Sequence, residues 1–411
     1  GARIGTPALD RPDWLEAPAG LAPIEGGDVC APDHFVAGSA ACGLKPSGGL
    51  DVGVLAATVP CVSAMVTTTS ALPAAPILRN RAHADIPRVR AVVVNAGTAN
   101  AATGSPGEAD ADAMARRAAA ALGIDPAEVV VSSTGTIGDR LDRGRVLAGV
   151  DAAVASRAGD GGLGFARAIQ TTDRFDKSGA FSMELPSGQT VSIGIAAKGA
   201  GMISPGMATM LAYMTVDAAV APDDLAAATR AAAGASFNRI SVDGQMSPSD
   251  TLLVMSSGEG APLAGGDLSA FADALRAVCR WAALLIVTDG EGAERVVRLL
   301  VDGAADAGEA ERVARAVADS PLVKTAVHGR DPNWGRVAQA VGQALAGCAG
   351  PTARLRVVAD GVPIGDPAAA RVMERRAYDL VVSLGRGGSG AERFFCDLGH
   401  AYVTLNAEYT T

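Results

Sequence analysis

Short apolar runs alternate with alanine-rich amphipathic stretches along most of this chain, and that alternation limits what it can fold into. The runs read as strands and the amphipathic stretches as helices, and neither buries its apolar side without the other. Ala91–Asn95 reads as a buried strand ending in a turn-prone Ala-Gly-Thr-Ala-Asn, and Glu128–Ser132 as a second strand. Glu108–Leu122 and Leu141–Arg157 read as helices, the first with acids in its opening turn and arginines later, as the helix dipole favours. From Phe181 the period becomes two, which predicts strands over Phe181–Leu185, Thr190–Ala196 and Met210–Thr215. A helix over Asp223–Ala235, a strand over Thr251–Ser256 and a helix over Leu268–Leu284 follow. Glu309–Asp319 and Asn333–Leu345 read as helices, and Ala353–Ala359 and Tyr378–Leu384 as strands. The first 30 residues, rich in Pro, Gly and Ala, read as an irregular arm, and the Gly-rich breaks at 158–164 and 385–391 as loops. The expected class is α/β, or α+β, with helices layered on sheets.

At 411 residues and 49% hydrophobic content the chain can fill two or three core units. A net charge of −9, with no basic run, argues against nucleic acid and anionic membrane as partners. The six cysteines lie far apart, with no Cys-x-x-Cys pair and no histidine at ligand spacing, so reduced thiols and no metal are expected. No 18-residue apolar span and no charged-then-apolar leader is visible, which leads to the expectation of a soluble, cytoplasmic protein.

Residues 198–215 carry the strongest chemical suggestion. A lysine and a Gly/Pro-rich turn lead through Ala208 to Thr209, which opens the apolar run Met210–Met214. If the Ala208–Thr209 bond breaks, Thr209 gains a free α-amine beside its own hydroxyl, the base that an N-terminal threonine nucleophile requires. The same residues also fit a plain turn entering a core strand.

Other stretches have two readings each. Ser132-Ser133-Thr134-Gly135-Thr136, at a strand end, can aim a hydroxyl and a backbone N–H at one point, as an oxyanion hole needs, or can cap the following helix. Lys198, one of only four lysines, suits a substrate carboxylate, or is a snorkelling strand-edge residue. Thr288-Asp289-Gly290-Glu291-Gly292, after the apolar run Ala283–Val287, could hold an ammonium group at a strand end or form a solvated hairpin turn. Asp243-Gly244 and Ser247-Pro248-Ser249-Asp250 read as turns. His328-Gly329-Arg330-Asp331-Pro332-Asn333-Trp334 reads as a helix start over a packed Trp334, since no serine stands at an elbow motif to make a triad.

Taken in order, these stretches resemble the ornithine acetyltransferase (glutamate N-acetyltransferase) family of arginine biosynthesis. The resemblance is carried by Lys198–Ile203 with Met207–Leu211, Ser133–Gly138, Thr171-Thr172-Asp173, Phe237–Ile240 with Val242–Gly244, Thr288–Gly292, His328–Arg336 and Asn406–Thr411, and it begins at Gly43–Gly48. It implies self-cleavage between Ala208 and Thr209, giving an α chain (1–208) and a β chain (209–411) that stay associated and jointly form the layered sandwich. It also implies Thr209 as nucleophile, Thr134 and Gly135 as oxyanion donors, and Thr172, Lys198, Thr209, Glu291, Asn406 and Thr411 as substrate-binding residues, with Thr171 or Thr172 making the contact. Acetyl would pass from N-acetylornithine to glutamate by a ping-pong cycle without metal or organic cofactor, with acetyl-CoA as a further donor in bifunctional members. Such enzymes assemble into higher homo-oligomers.

The chain departs from the family's pattern at four polar positions. Thr69 and Thr98 stand where asparagines are usual, Gln245 where an aspartate is, and Ser249 where an asparagine is. These residue types orient substrates, so the reaction type is more secure than the donor and acceptor. A relative with altered acyl or amine specificity, or one that hydrolyses its acyl-enzyme, is the alternative. Intact Thr209, Thr134 and Gly135 speak against a non-catalytic binding protein.

Overall fold

The computed structural model describes Pro18, residues 20–204 and residues 210–408. Ala208, Thr209 and Thr411, together with most of the expected N-terminal arm, therefore lie outside the described residues.

Strict side-chain alternation builds the centre of the molecule. In the strand Leu211–Val216, Leu211 and Tyr213 face one core while Ala212, Met214 and Val216 face another. Thr251–Ser256 does the same, with Leu253 and Met255 on one side and Leu252 and Val254 on the other. These two parallel strands lie within a six-stranded sheet that also holds Ala22–Pro23, Lys177–Glu184, Thr190–Lys198 and Val62–Thr67.

A four-stranded sheet packs against it face to face, ordered Phe35–Ala40, Val52–Ala57, Ala91–Thr98 and Val129–Thr136. Phe35, Leu55, Val92, Val94 and Val130 from this sheet meet Ala196, Leu211, Tyr213, Leu253 and Met255 from the other. The outer face of the four-stranded sheet is covered by helices Gly104–Leu122 and Arg143–Ala155, and that of the six-stranded sheet by Pro222–Ala235 and Gly265–Thr288. The result is a four-layer sandwich: helices, sheet, sheet, helices. A second six-stranded sheet, with Val296–Ala304 and Ala377–Ser383 at its centre, carries its own core under helices Ala307–Asp319, Pro321–Gly329 and Trp334–Ala344. The layered α/β class expected from the sequence is the observed one.

Several boundaries moved for definable reasons. The strand expected to end at Ser132 runs to Thr136, because Asn95–Thr98 extends alongside it in parallel register. The following helix takes Asp142 as its cap, the side chain accepting the Arg145 N–H at 3.1 Å, so Ser132–Thr136 is not a capping segment. Ala283–Val287 is not a strand but the last turns of Gly265–Thr288, whose C-terminal end is buried on every side. Gly162–Ala168 is helical and a strand begins at Ser389, so both expected Gly-rich loops are shorter than 158–164 and 385–391. Trp334 is 57% exposed rather than packed, and Asn333 is the helix cap there, accepting the Arg336 N–H at 3.2 Å. All six cysteines are free thiols, as expected. No helix among the described residues is long and apolar enough to cross a membrane.

Candidate active site

The strand Thr190–Lys198 is the antiparallel partner of Leu211–Val216, with Lys198 opposite Leu211. That register puts Lys198 at the end of a central strand, 2% exposed, and makes residues 199–210 the connection between two paired strands. A buried ammonium needs partners, and Lys198 Nζ donates to Thr171 Oγ1 at 2.7 Å and to Thr134 Oγ1 at 3.3 Å. Burial pushes its ammonium below the ordinary lysine range; Asp173, Glu291 and Asp250 oppose that push, while Lys177 adds to it.

Thr134 is set at this point by the parallel pairing of Val129–Thr136 with Ala91–Thr98, in which Gly135 lies opposite Gly97. Gly135 adopts φ +130°, and a Cβ there would lie 2.3 Å from the Gly97 carbonyl carbon on the neighbouring strand. Only glycine permits both the backbone angle and the approach. Because the Thr134 hydroxyl accepts from Lys198, its own proton remains to donate towards the cavity beside it.

That cavity, about 230 Å³, is lined by Thr134, Gly135, Thr172, Lys198, Glu291 and Asn406 together with Met202, Asp243, Gln245, Ser249 and Tyr402. Every site residue expected from the sequence and present among the described residues therefore reaches one cavity. Glu291 follows the C-terminal end of Gly265–Thr288 and is 8% exposed. Its Oε1 accepts from the Thr172 hydroxyl at 2.8 Å, and its Oε2 from Asn406 Nδ2 at 2.9 Å, on the C-terminal helix His400–Glu408. A Cβ on Gly201 would stand 2.4 Å from the Glu291 carboxylate, so the glycine leaves the space that Glu291 occupies. The two threonines divide their work: Thr171 accepts from Lys198, and Thr172 donates to Glu291.

A buried ionic cluster supports the Lys198 end. Lys177 Nζ lies 2.6 Å from both Asp173 Oδ1 and Asp289 Oδ2, all three side chains fully buried. Asp173 Oδ1 also accepts the Gly199 N–H at 2.8 Å, and Arg174 Nε meets Asp289 Oδ1 at 2.9 Å. Burial alone would raise the Asp173 carboxyl, but Lys177 and Lys198 overcome it and hold the group well below the usual carboxylate range. Asp289 is thus a strut behind the cavity, while Glu291 faces into it.

Asp243 and Asp250 had read as turn residues, and both belong to the site's framework. Asp243 accepts the N–H groups of Met202 and Ile203 at 2.6 and 2.9 Å and the Tyr402 hydroxyl at 3.3 Å, so it pins the segment after Lys198. Asp250 Oδ1 accepts the Met210 N–H at 3.2 Å. An aspartate before a glycine or threonine gives no local sign of such a distant partner. Of the four departures from the family's pattern, Gln245 and Ser249 line the cavity.

His328, outside the cavity lining, pairs through Nδ1 with Asp397 Oδ2 at 2.8 Å, and Glu294 completes a trio whose ligand atoms lie within 4.8 Å of one another. Asp397 Oδ1 already accepts the N–H groups of Glu294 and Arg295, both at 2.8 Å, which makes this carboxylate a structural anchor.

The matching family model is the ArgJ family, over residues 36–411. An arginine biosynthesis bifunctional protein ArgJ from Symbiobacterium thermophilum is 44% identical over 404 residues, 94% of this chain and 99% of that protein. The protein of the same name from Parasynechococcus marenigrum is 40% identical over 397 residues, 94% of this chain and 96% of that one. A solved ornithine acetyltransferase complexed with ornithine, from Mycobacterium tuberculosis, is 37% identical, covering 46% of this chain and 100% of that chain with a TM-score of 0.41. With a family model spanning residues 36–411 and relatives at this identity along nearly its whole length, the chain belongs to the ArgJ family.

Proposed function

We propose that Thr209, freed by cleavage of the Ala208–Thr209 bond, carries acetyl from N-acetylornithine to glutamate. As a member of the ArgJ family the chain is an acetyltransferase of arginine biosynthesis. The observation that carries the residue assignments is the convergence of Thr134, Gly135, Lys198, Thr172, Glu291 and Asn406 on one cavity. Support for Thr209 comes from the next residue in the chain, Met210, whose N–H donates to Asp250.

The roles follow from the chemistry. Thr209 Oγ attacks the acetyl carbonyl of the donor, and the α-amine of the same residue takes the hydroxyl proton. Charge developing on the carbonyl oxygen meets the Thr134 O–H and the Gly135 N–H, a pair held in place by the strand pairing at Gly97. The donor's C–N bond breaks, its amine receives the proton, and an acetyl-threonine ester remains. Glutamate's amine then attacks that ester and the steps run in reverse. Lys198 supplies the cation for a substrate carboxylate, and Glu291, oriented by Thr172 and Asn406, supplies the anion for an ammonium. Thr411 is assigned to substrate binding by the family resemblance alone.

Both strands flanking the 199–210 connection are hydrogen-bonded to each other and to further strands. That pairing supports continued association of the 1–208 and 209–411 halves after cleavage.

The test is to trap the ester. Purified protein incubated with N-acetylornithine and no acceptor should show the fragment beginning at Thr209 heavier by one acetyl group in intact mass spectrometry. Adding glutamate should discharge it as N-acetylglutamate. An unmodified fragment under turnover conditions would defeat the covalent route. Failure with this donor alongside labelling by another would point instead to altered specificity, the reading that Gln245 and Ser249 in the cavity lining favour.

A further inference from the structure

Asp250 is fully buried at the entrance to the central strand Thr251–Ser256, and its two carboxyl oxygens are used unequally. Oδ1 accepts the Met210 N–H at 3.2 Å. Oδ2 is buried and has no hydrogen-bond partner. The hydroxyls of Thr68 and Ser247 face the carboxyl, and the Thr68 hydroxyl also donates to the Ser247 carbonyl at 2.7 Å. Thr68 N–H donates to the Asp250 carbonyl and Thr251 N–H to the Met210 carbonyl, so the carboxyl is fixed beside Met210 from both sides. The charged group facing it is Lys198, on the next strand but one, whose hydrogen bonds go to Thr134 and Thr171. A carboxylate buried this deeply with one oxygen short of a hydrogen bond is costly when ionised, and less so as the neutral acid.

Met210 N is three covalent bonds from Thr209 N, the nitrogen that must leave when the Ala208–Thr209 bond breaks. We propose that Asp250 is the proton donor of the self-cleavage step, serving the nitrogen side of that bond. This rests on the reading of Thr209 as the nucleophile of cleavage. As the bond between Thr209 Oγ and the Ala208 carbonyl carbon forms and the C–N bond breaks, Asp250 hands its proton to the departing nitrogen. The proton shed by Oγ returns to the Asp250 carboxylate, which regenerates the acid. Water then splits the resulting ester: its hydroxide goes to the Ala208 carbonyl carbon and its proton to Thr209 Oγ, leaving a free α-amine. Burial pushes the Asp250 carboxyl well above the usual range, against the pull of the Met210 N–H, of Lys198 and of the Ser247 and Thr68 hydroxyls, so the acid form persists where an ordinary aspartate has ionised.

The full chain is made by cell-free synthesis, quenched into denaturant at intervals across a pH series, and resolved by denaturing electrophoresis. Wild type should cleave, Asp250→Asn should cleave roughly 100-fold more slowly or worse, and Asp250→Glu should recover part of the rate. The wild-type rate should fall as pH rises through the Asp250 titration, and the residual Asp250→Asn rate should lack that limb. Asp250→Asn cleaving as fast as wild type overturns the proposal. So does a wild-type rate that stays flat or climbs over the whole alkaline range, a result that needs no variant to fold. A wild type that never cleaves, or a Thr209→Ala that does, defeats the underlying reading of Thr209 instead.

Discussion

At the scale of single residues, the site depends on charges that water does not reach. Three of the four lysines, Lys177, Lys198 and Lys324, are essentially fully buried, and two of them serve this one region. Lys198→Met should lower kcat/KM by about 100-fold or more, through loss of both the carboxylate partner and the contact to Thr134, as steady-state kinetics would record. Glu291→Gln keeps the hydrogen-bonding shape but removes the charge, so the expected change is a raised KM for a cationic donor with a smaller change in kcat. Lys177→Met leaves Asp173 and Asp289 buried with one partner fewer, and should cost about 3–5 kcal/mol of stability in denaturant unfolding. The pH sign follows from the depressed Asp173 carboxyl. Its contribution to stability is present above the unfolded-state pKa and is lost as pH falls below it towards the folded value, so Lys177→Met should flatten that acid limb. Asp250 has the opposite sign, because its folded value is raised. Its contribution is complete below the unfolded-state pKa and is lost as pH rises through the folded value, so the thermal stability of Asp250→Asn relative to wild type should improve with pH.

At the scale of elements, what could be seen in the sequence was whatever local periodicity determines. Thr251–Ser256 was legible to the residue, since six apolar or hydroxyl residues lie between turn formers. Only the first half of strand Val129–Thr136 is legible, because Ser-Ser-Thr-Gly-Thr has no strand signature of its own and is held extended by Asn95–Thr98. Phe35–Ala40 and Val52–Ala57 are not legible alone: their glycines and alanines become strand only against each other. The site divides the same way. Lys198, Thr134 and Glu291 stood out by type and place, whereas Asp243 and Asp250 act on main-chain N–H groups about 40 residues away in sequence. The tight crossing at Gly135 makes its own prediction. Gly135→Ala would drive a Cβ to 2.3 Å from the Gly97 carbonyl carbon and displace Thr134, so acetyl transfer should collapse while Gly234→Ala, at an exposed helical position with no atom within 4 Å of its added Cβ, perturbs transfer far less. Parallel assays of the two variants, with circular dichroism to confirm folding, check it.

At the scale of the whole molecule, the proposed cleavage point sits within a connection whose two ends are tied into one sheet. Thr190–Lys198 and Leu211–Val216 pair over Ile193–Lys198, and both lie between two packed cores rich in alanine and valine. The pairing of the described strands on either side does not depend on that bond, so the halves should elute together in native size-exclusion chromatography and separate only in denaturant. In the proposed cycle this chain makes its own nucleophile at Thr209. Intact mass spectrometry of the denatured wild-type protein, with N-terminal sequencing of the fragments, tests it most directly. Two species should appear, one beginning at Thr209, and Thr209→Ala should give only the 41.0 kDa chain. A wild-type protein that transfers acetyl yet remains a single 41.0 kDa species would contradict it.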